Sequence, residues 1–391
     1  MKDLPVNITL ILIGVIFLVT LSFWLCGCKA LLKDKTVNNN PNEFYWVPSS
    51  SAPQQHPVEV FDVHFLLRRP PEGNTYIFQY YYFGFCFKYA GLASGYNGIA
   101  YDENDKYPLP HYIAALWLSF PEKKVYYLDE PLPYDQILQL FTKGYDFYED
   151  TVKKTKITYD ELDLCFLPNG KTVLYVKGTT RKTMVDWMAQ GTATDEFNDN
   201  ICKENRCESI EKHINYYAND SALMVNNTFP VDSLINKYFE RFSYTINIDL
   251  ADPQAKALWG KEEYTNGEYL CSRYRSMVES IAMPSRLKYY EVTWDSHGYK
   301  YLANVYFNEE EMLQLFDEAY GNDHTQQGVL NIAINESGDT WDISLIVGDK
   351  KCVFKKTEIE VYNYPLSNPD DDENIVFKNF ENKPQNIFRI K

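Results

Sequence analysis

Residues 116–145 read LWLSFPEKKVYYLDEPLPYDQILQLFTKGY. Leu116 and Leu118 alternate with Trp117 and Ser119, the period of a strand with one buried face. Pro121 to Lys124 break that pattern, and Val125 to Leu128 resume an extended, aromatic run. Pro133 then opens a segment in which Ile137, Leu138, Phe141 and Tyr145 recur at helical spacing, one apolar stripe on an amphipathic helix. The stretch predicts strand, tight turn, strand and short helix.

An echo occupies residues 286–320, RLKYYEVTWDSHGYKYLANVYFNEEEMLQLFDEAY. A single offset lays Leu138–Phe141 on Leu313–Phe316, Tyr126 on Tyr301 and Tyr145 on Tyr320. Hairpin patterns follow in both places. Residues 161–178 turn at Asn169–Gly170 and residues 329–347 at Ser337–Gly338. Asn-Gly is a strong hairpin signal because both residues tolerate positive φ. Asn308, three residues before Glu311, is the expected N-cap of the second helix. The pattern predicts an α+β fold of two similar tandem domains, residues 58–220 and 228–363. Each would be an antiparallel sheet with hairpins and a short packed helix.

The remaining chain fits around these units. Val58–Leu67 alternates like a strand, and Tyr76–Tyr89 is an aromatic run expected as a long central strand. Thr183–Gln190 suits a strand or short helix, residues 194–219 and 231–242 suit helices, and Tyr244–Leu250 suits a strand. Residues 260–267 are expected as a polar loop and 351–362 as the last strand. Residues 29–57, rich in Asn, Pro, Ser and Gln, are expected as a flexible tether. Residues 364–391, with the acidic run Asp370–Glu373, are expected as a polar tail.

Residues 1–28 form the address. Val6–Leu25 is almost wholly apolar, the pattern of a signal peptide or an uncleaved anchor. It ends Leu25-Cys26-Gly27-Cys28, which resembles the bacterial lipobox with Cys28 as the lipidated residue. Lys29 follows, without the aspartate that retains lipoproteins at the inner membrane. The expected place is the outer membrane, facing the periplasm. The alternative is a single-pass inner-membrane anchor, for which Lys29, Lys33 and Lys35 favour a cytoplasmic body.

The net charge of −16 repels phosphate backbones and argues against a nucleic-acid partner. It suits a soluble domain, or one with a basic protein partner. Of eight cysteines, six lie beyond the address. Cys202 and Cys207 are close enough for a local disulfide in an exported chain. Cys86, Cys165 and Cys352 sit in apolar strand patterns, as buried thiols do. No CxxC, HExxH, phosphate loop or Rossmann fingerprint is present. Ser94 lies in Gly91–Gly95 without GxSxG spacing. Asp160, Glu161 and Asp163 are paired carboxylates, expected on a solvated strand face. The expectation is no catalytic residues, no metal and no cofactor.

The segments WLSFPEKKVYYLDEPLPYDQILQLF, FLPNGKTVLYVKG and TMVDWMAQG, behind a lipobox-like start, resemble an uncharacterised family of proteobacterial lipoproteins. The resemblance covers residues 58–215 best. Genes of that family often accompany type VI secretion spike and phospholipase effector genes, and some such neighbours are immunity proteins. The resemblance implies a protein that binds and neutralises a secreted antibacterial phospholipase. Contact loops are placed at residues 90–110 and 296–299, with Tyr96, Asp102, Glu103, Asp105, Asp295 and His297 as contact residues. The alternative is a structural or ligand-binding envelope lipoprotein.

Overall fold

A computed structural model describes residues 43–53, 56–68, 75–86, 97–98, 106–148, 154–194, 210–216, 232–272, 281–367 and 374–381. β-sheet dominates, with four α-helices among the described residues. The first half runs β1 (Val47–Ser51), β2 (Val58–Arg68), β3 (Thr75–Cys86), β4 (Asn97–Gly98), β5 (Tyr112–Ser119), β6 (Lys124–Pro131) and α1 (Tyr134–Lys143). It continues through β7 (Tyr145–Tyr148), β8 (Lys154–Ile157), β9 (Glu161–Phe166), β10 (Lys171–Lys177), β11 (Arg181–Gln190) and β12 (Thr192–Ala193). After α2 (Ile210–Tyr216) and α3 (Asp232–Phe239) come β13 (Tyr244–Leu250), β14 (Lys256–Tyr264), β15 (Tyr269–Ser272), β16 (Leu287–Ser296) and β17 (Tyr299–Tyr306). The chain closes with α4 (Glu309–Tyr320), β18 (Gly328–Ile334), β19 (Trp341–Val347), β20 (Lys350–Val353), β21 (Glu358–Pro365) and β22 (Asn374–Lys378).

Strand order repeats. In the first half one sheet is ordered β12-β6-β5-β2-β3, and in the second β21-β17-β16-β14-β15 follows the same chain sequence. The facing sheets are β1-β9-β10-β11 and β13-β18-β19-β20. Each opens with a parallel pair, β1 on β9 and β13 on β18. One further pairing fuses the halves. Arg181 and Lys182 of β11 lie opposite Leu270 and Tyr269 of β15, which makes one eleven-stranded sheet.

The decisive stretch folds as its pattern predicts. Trp117 lies opposite Tyr126 on the β5–β6 hairpin, with stacked rings 5.5 Å apart. Trp294 lies opposite Tyr301 on β16–β17, stacked at 5.0 Å. Helix α1 buries Ile137 and Phe141 and stops at Gly144, whose φ of 56° an L-residue resists. A Cβ there would collide with the Ile157 carbonyl. Asn308 caps α4, accepting the Glu311 amide at 3.1 Å. Glu311 does not close a capping box; its carboxylate accepts the amides of Lys355 and Lys356 instead. The β9–β10 hairpin turns at Asn169 and Gly170, both with positive φ.

Several expectations change. Within the expected tether of residues 29–57, residues 43–53 are structured: β1 is a buried strand, and Phe44 and Trp46 enter the first core, while residues 29–42 lie outside the described residues. Bonding to β9 on one side satisfies its backbone where Pro and Ser content had suggested a linker. The aromatic run of β3 lies at the edge of its sheet. Residues 260–267 are mostly β14, because Lys261 and Glu263 share one face and pair across 2.5 Å. The strand expected at 351–362 splits into β20 and β21, and β22 arises within the expected tail. Thr183–Gln190 is strand, part of β11.

Candidate functional site

The sequence motifs of the first half converge at one end of its two sheets. Glu122, in the turn after β5, is the hub. Its carboxylate stands 3.1 Å from His56 Nε2 and accepts the Tyr126 hydroxyl at 2.9 Å and the Asn169 amide at 3.0 Å. Ser119 Oγ lies 3.1 Å from the same His56 nitrogen. Gln190 donates to the Asn169 carbonyl at 2.6 Å. Thus SFPEK, LPNG and AQG, far apart in sequence, meet around one carboxylate. Burial pushes the Glu122 pKa up, but the bonds from His56, Ser119 and Tyr126 win and hold it at about 2.

A serine, a histidine and an acid invite comparison with a hydrolase. The geometry argues against it. A catalytic serine and its acid engage opposite nitrogens of the imidazole. Here Ser119 and Glu122 both address Nε2, and Ser119 is fully buried. The cluster works as a latch that fixes the turn against the segment entering β2.

The second half carries a reversed version. Ser296 donates to Asp252 in the segment before β14 and lies 2.8 Å from His297 Nδ1 in the turn. The bond from Ser296, with the Gln254 amide, holds the Asp252 carboxyl below its usual range. His297 and Gly298 both have positive φ, as a two-residue hairpin turn requires. His297 points outward and is 65% exposed. Tyr299 and Leu366 are also exposed beside it, where the Leu366 amide donates to the Gly298 carbonyl. Asp295, on the strand before the turn, has one buried carboxylate oxygen without a hydrogen bond.

The carboxylates at 161 and 163 are not solvated, contrary to expectation. Asp163 pairs with Lys182, both buried, and accepts the Ser51 hydroxyl at 2.9 Å. Lys177 reaches both oxygens of Glu161 at 3.1 Å. The reason is tertiary: the second half covers this face. Its turn Thr265–Glu268 is buried against β10 and β11, where Tyr175 donates to the Asn266 carbonyl and Glu268 accepts the Met184 amide. Glu268 also pairs with Arg241 at 2.9 Å. Nearby, burial depresses the Lys288 pKa and raises that of Glu291, while the Cys271 thiol is pushed up to about 12 by burial. Such a thiol is a poor nucleophile.

Of the sequence-derived contact residues, only Asp295 and His297 lie within the described residues. Tyr96, Asp102, Glu103 and Asp105 lie outside them, as do Cys28, Ser94, the Cys202–Cys207 pair and Asp370–Glu373. Of the expected loop of residues 90–110, Asn97–Gly98 form β4, paired with β1, and residues 106–110 are described, where Leu109 is buried and Tyr107 bridges to Phe44. Cys352 is a buried free thiol, and Cys165 is buried in the sheet. Among the described residues no cluster of three or more His, Cys, Asp or Glu is placed to hold a metal, and no helix is long and apolar enough to cross a membrane. Sequence reasoning passed over His56, Glu122 and Asp252. The signal was present only as a Ser at the end of each hairpin strand.

No curated protein and no solved structure matches this chain. A family model does, over residues 33–232, and it spans the first half together with the Glu122 latch. The chain belongs to the family described as protein of unknown function, DUF2931.

Proposed function

We propose that this protein acts by binding and not by catalysis. In this reading it is a lipoprotein, lipidated at Cys28 and held at the outer membrane facing the periplasm. It neutralises a type VI secreted antibacterial phospholipase by covering its active-site cleft. The observation that carries the binding reading is the contrast between the two kinds of polar group. The serines and acids of the two clusters are spent on internal bonds, whereas the turn that carries His297 leaves His297, Tyr299 and Leu366 exposed side by side. Exposed aromatic and apolar groups at a rigid hairpin tip suit protein contact. The net charge of −16 would speed encounter with a basic target.

The same proposal takes the chain as two tandem copies of the family domain, the second one divergent. Its support is the repeated strand order, the repeated Trp–Tyr pair and the repeated serine latch. A second reading, a ligand-binding envelope lipoprotein, is favoured by the outer face of the wide sheet. There Tyr306 and Tyr362 both donate to Glu360, and Tyr289 packs 5.2 Å from Tyr306.

The test is a toxicity rescue. A phospholipase encoded beside this gene is exported to the periplasm of a susceptible cell, with the wild-type protein, with Cys28→Ala, or alone. Rescue by the wild type supports neutralisation, and weaker rescue by Cys28→Ala supports anchoring. Absence of rescue together with absence of binding refutes the immunity reading and leaves the envelope one.

A further inference from the structure

The outward face of β14, β16, β17 and β21 carries a ladder of polar side chains. Tyr290, Val292, Ala303, Val305 and Val361 turn inward to the core, so the residues alternating with them face out. Glu291 lies opposite Lys261 on one side and Asn304 on the other, and Asn304 lies opposite Glu360. Hydrogen bonds link these strands in one line. The Tyr289 hydroxyl stands 2.7 Å from Glu291 Oε2 and 2.7 Å from Asn304 Oδ1. Asn304 Nδ2 donates to Glu360 Oε1 at 3.3 Å. Tyr306 and Tyr362 donate to Glu360 at 3.1 and 3.0 Å.

With every carboxylate ionised, this line is one hydrogen short. A tyrosine hydroxyl has one hydrogen, an ionised carboxylate has none, and a side-chain amide donates from its nitrogen only. The contacts Glu291–Tyr289, Tyr289–Asn304 and Asn304–Glu360 each need a hydrogen. Tyr289 supplies one and Asn304 another. Turning the Asn304 amide over moves the shortage to Glu360 and does not remove it. Glu360 already accepts from Asn304, Tyr306 and Tyr362 and faces Lys378 at 3.9 Å. The missing hydrogen therefore belongs on Glu291, whose protonated carboxyl donates to the Tyr289 oxygen and leaves the Tyr289 hydrogen for Asn304.

We infer that the outward face of the wide sheet carries a pH-operated switch, closed while Glu291 holds a proton and parted between Tyr289 and Asn304 once that proton leaves. Around Glu291 stand Lys261 and Glu263 on β14, Tyr289 on its own strand and Tyr306 on β17, with Cys271 of β15 opposite Lys261. The two nearby lysines do not replace the proton, because Lys261 and Lys288 both pair with Glu263, at 2.5 and 3.5 Å. Burial raises the Glu291 pKa above 4.5, against the Tyr289 bond and Lys261, which lower it, and Glu263 adds to the rise. The proton is thus held at pH values where an exposed glutamate has lost it, and it leaves as pH climbs through the raised value. Tyr289 must then donate to Glu291. Its oxygen and Asn304 Oδ1, 2.7 Å apart in the closed form, repel, and the Tyr289 ring draws away from Tyr306, 5.2 Å from it. The parted form turns the Asn304 carbonyl oxygen outward, free to accept from water or a ligand hydroxyl. The switch needs no partner, so it stands apart from the binding readings above.

The experiment compares the full chain with Glu291→Gln, whose amide donates to Tyr289 at any pH, and with Asn304→Leu, which keeps the bulk and removes the second acceptor. At pH 5.5 a glutamate of ordinary pKa is about nine-tenths ionised. Infrared difference spectra at that pH, wild type minus variant, read the protonated carboxyl directly, because Glu309 contributes equally to both. A carboxyl band is expected in the wild type and absent from both variants. Burial alone would keep the band in Asn304→Leu, since leucine makes the site more apolar, and a band that persists there overturns the inference. So does a wild type without a band that Glu291→Gln removes. Amide hydrogen exchange in β21 and β22, corrected for its intrinsic pH dependence, should quicken by roughly threefold or more between pH 5.5 and 8 in the wild type and stay level in Glu291→Gln. Equal exchange in the two proteins would leave the proton on Glu291 but overturn the switch.

Discussion

Ser119 and Ser296 each end the first strand of a tryptophan-bearing hairpin, and each bonds a histidine. The polarity around them is reversed. In the first half the histidine, His56, comes from the segment entering the sheet and the acid, Glu122, from the turn. In the second half the acid, Asp252, comes from the entering segment and the histidine, His297, from the turn. Either arrangement ties hairpin to incoming chain, because an ion-assisted bond works in both directions.

The first latch makes stability acid-sensitive. Glu122 has its folded pKa near 2, below its value of 4.5 when unperturbed. Its contribution is therefore complete above about pH 4.5 and is lost as pH falls toward 2. Glu122→Gln should cost about 1 kcal/mol at pH 7, a figure already reduced for its partial exposure. The gap to wild type should close near pH 2 in urea titrations; a constant gap across that range refutes the assignment.

Glu309 titrates in the opposite sense. Burial raises its pKa to about 7, although the Tyr238 hydroxyl donates to it. Between pH 4.5 and 7 the folded state holds a proton that the unfolded state has released, so stability falls as pH rises. Glu309→Gln should therefore stabilise by roughly 2 kcal/mol at pH 8 and by little at pH 4. Denaturation midpoints at the two pH values decide the matter, and a variant weaker than wild type at pH 8 would contradict it.

The two hairpin glycines should respond unequally. Gly170 and Gly338 have φ of 74° and 75°. A Cβ at Gly170 would lie 2.5 Å from the Tyr126 ring, whereas at Gly338 the nearest atom is 3.6 Å away. Both alanine substitutions incur backbone strain of about 1 kcal/mol. Gly170→Ala should lose a further 1–3 kcal/mol, roughly, from overpacking. Equal losses in guanidinium unfolding would show that the ring moves aside freely.

The joint between the halves depends on a buried ion pair. Lys182→Met should cost about 3–5 kcal/mol, because it strands the Asp163 carboxylate between the halves. Combining it with Asp163→Asn should recover much of that loss, since a neutral amide is far cheaper to bury. A double variant as unstable as the single one would mean that packing of the lysine stem matters more than charge.

Local pattern was legible where one face of an element meets one environment. The β5–β6 hairpin with α1, its echo in β16–β17 with α4, and the turns at Asn169–Gly170 and Ser337–Gly338 all follow from alternation, helical spacing and glycine at positive φ. Asn308 was readable as a cap for the same reason. The Glu161–Asp163 face was misread because its sequence is that of a solvated strand, and only the second half covers it. β1 was misread because a Pro- and Ser-rich strand is stabilised by its neighbour β9 and not by its own propensity.

The sequence by itself determined the hairpins, the helices that follow them and the echo between the halves, because these rest on contacts a few residues apart. Only the tertiary structure decided which acids are buried, that Glu122 gathers three distant motifs, and that β11 and β15 fuse two sheets into one. Those outcomes depend on chain segments tens of residues apart excluding water from one another. A charge next to an apolar run carries no mark of which distant segment will cover it.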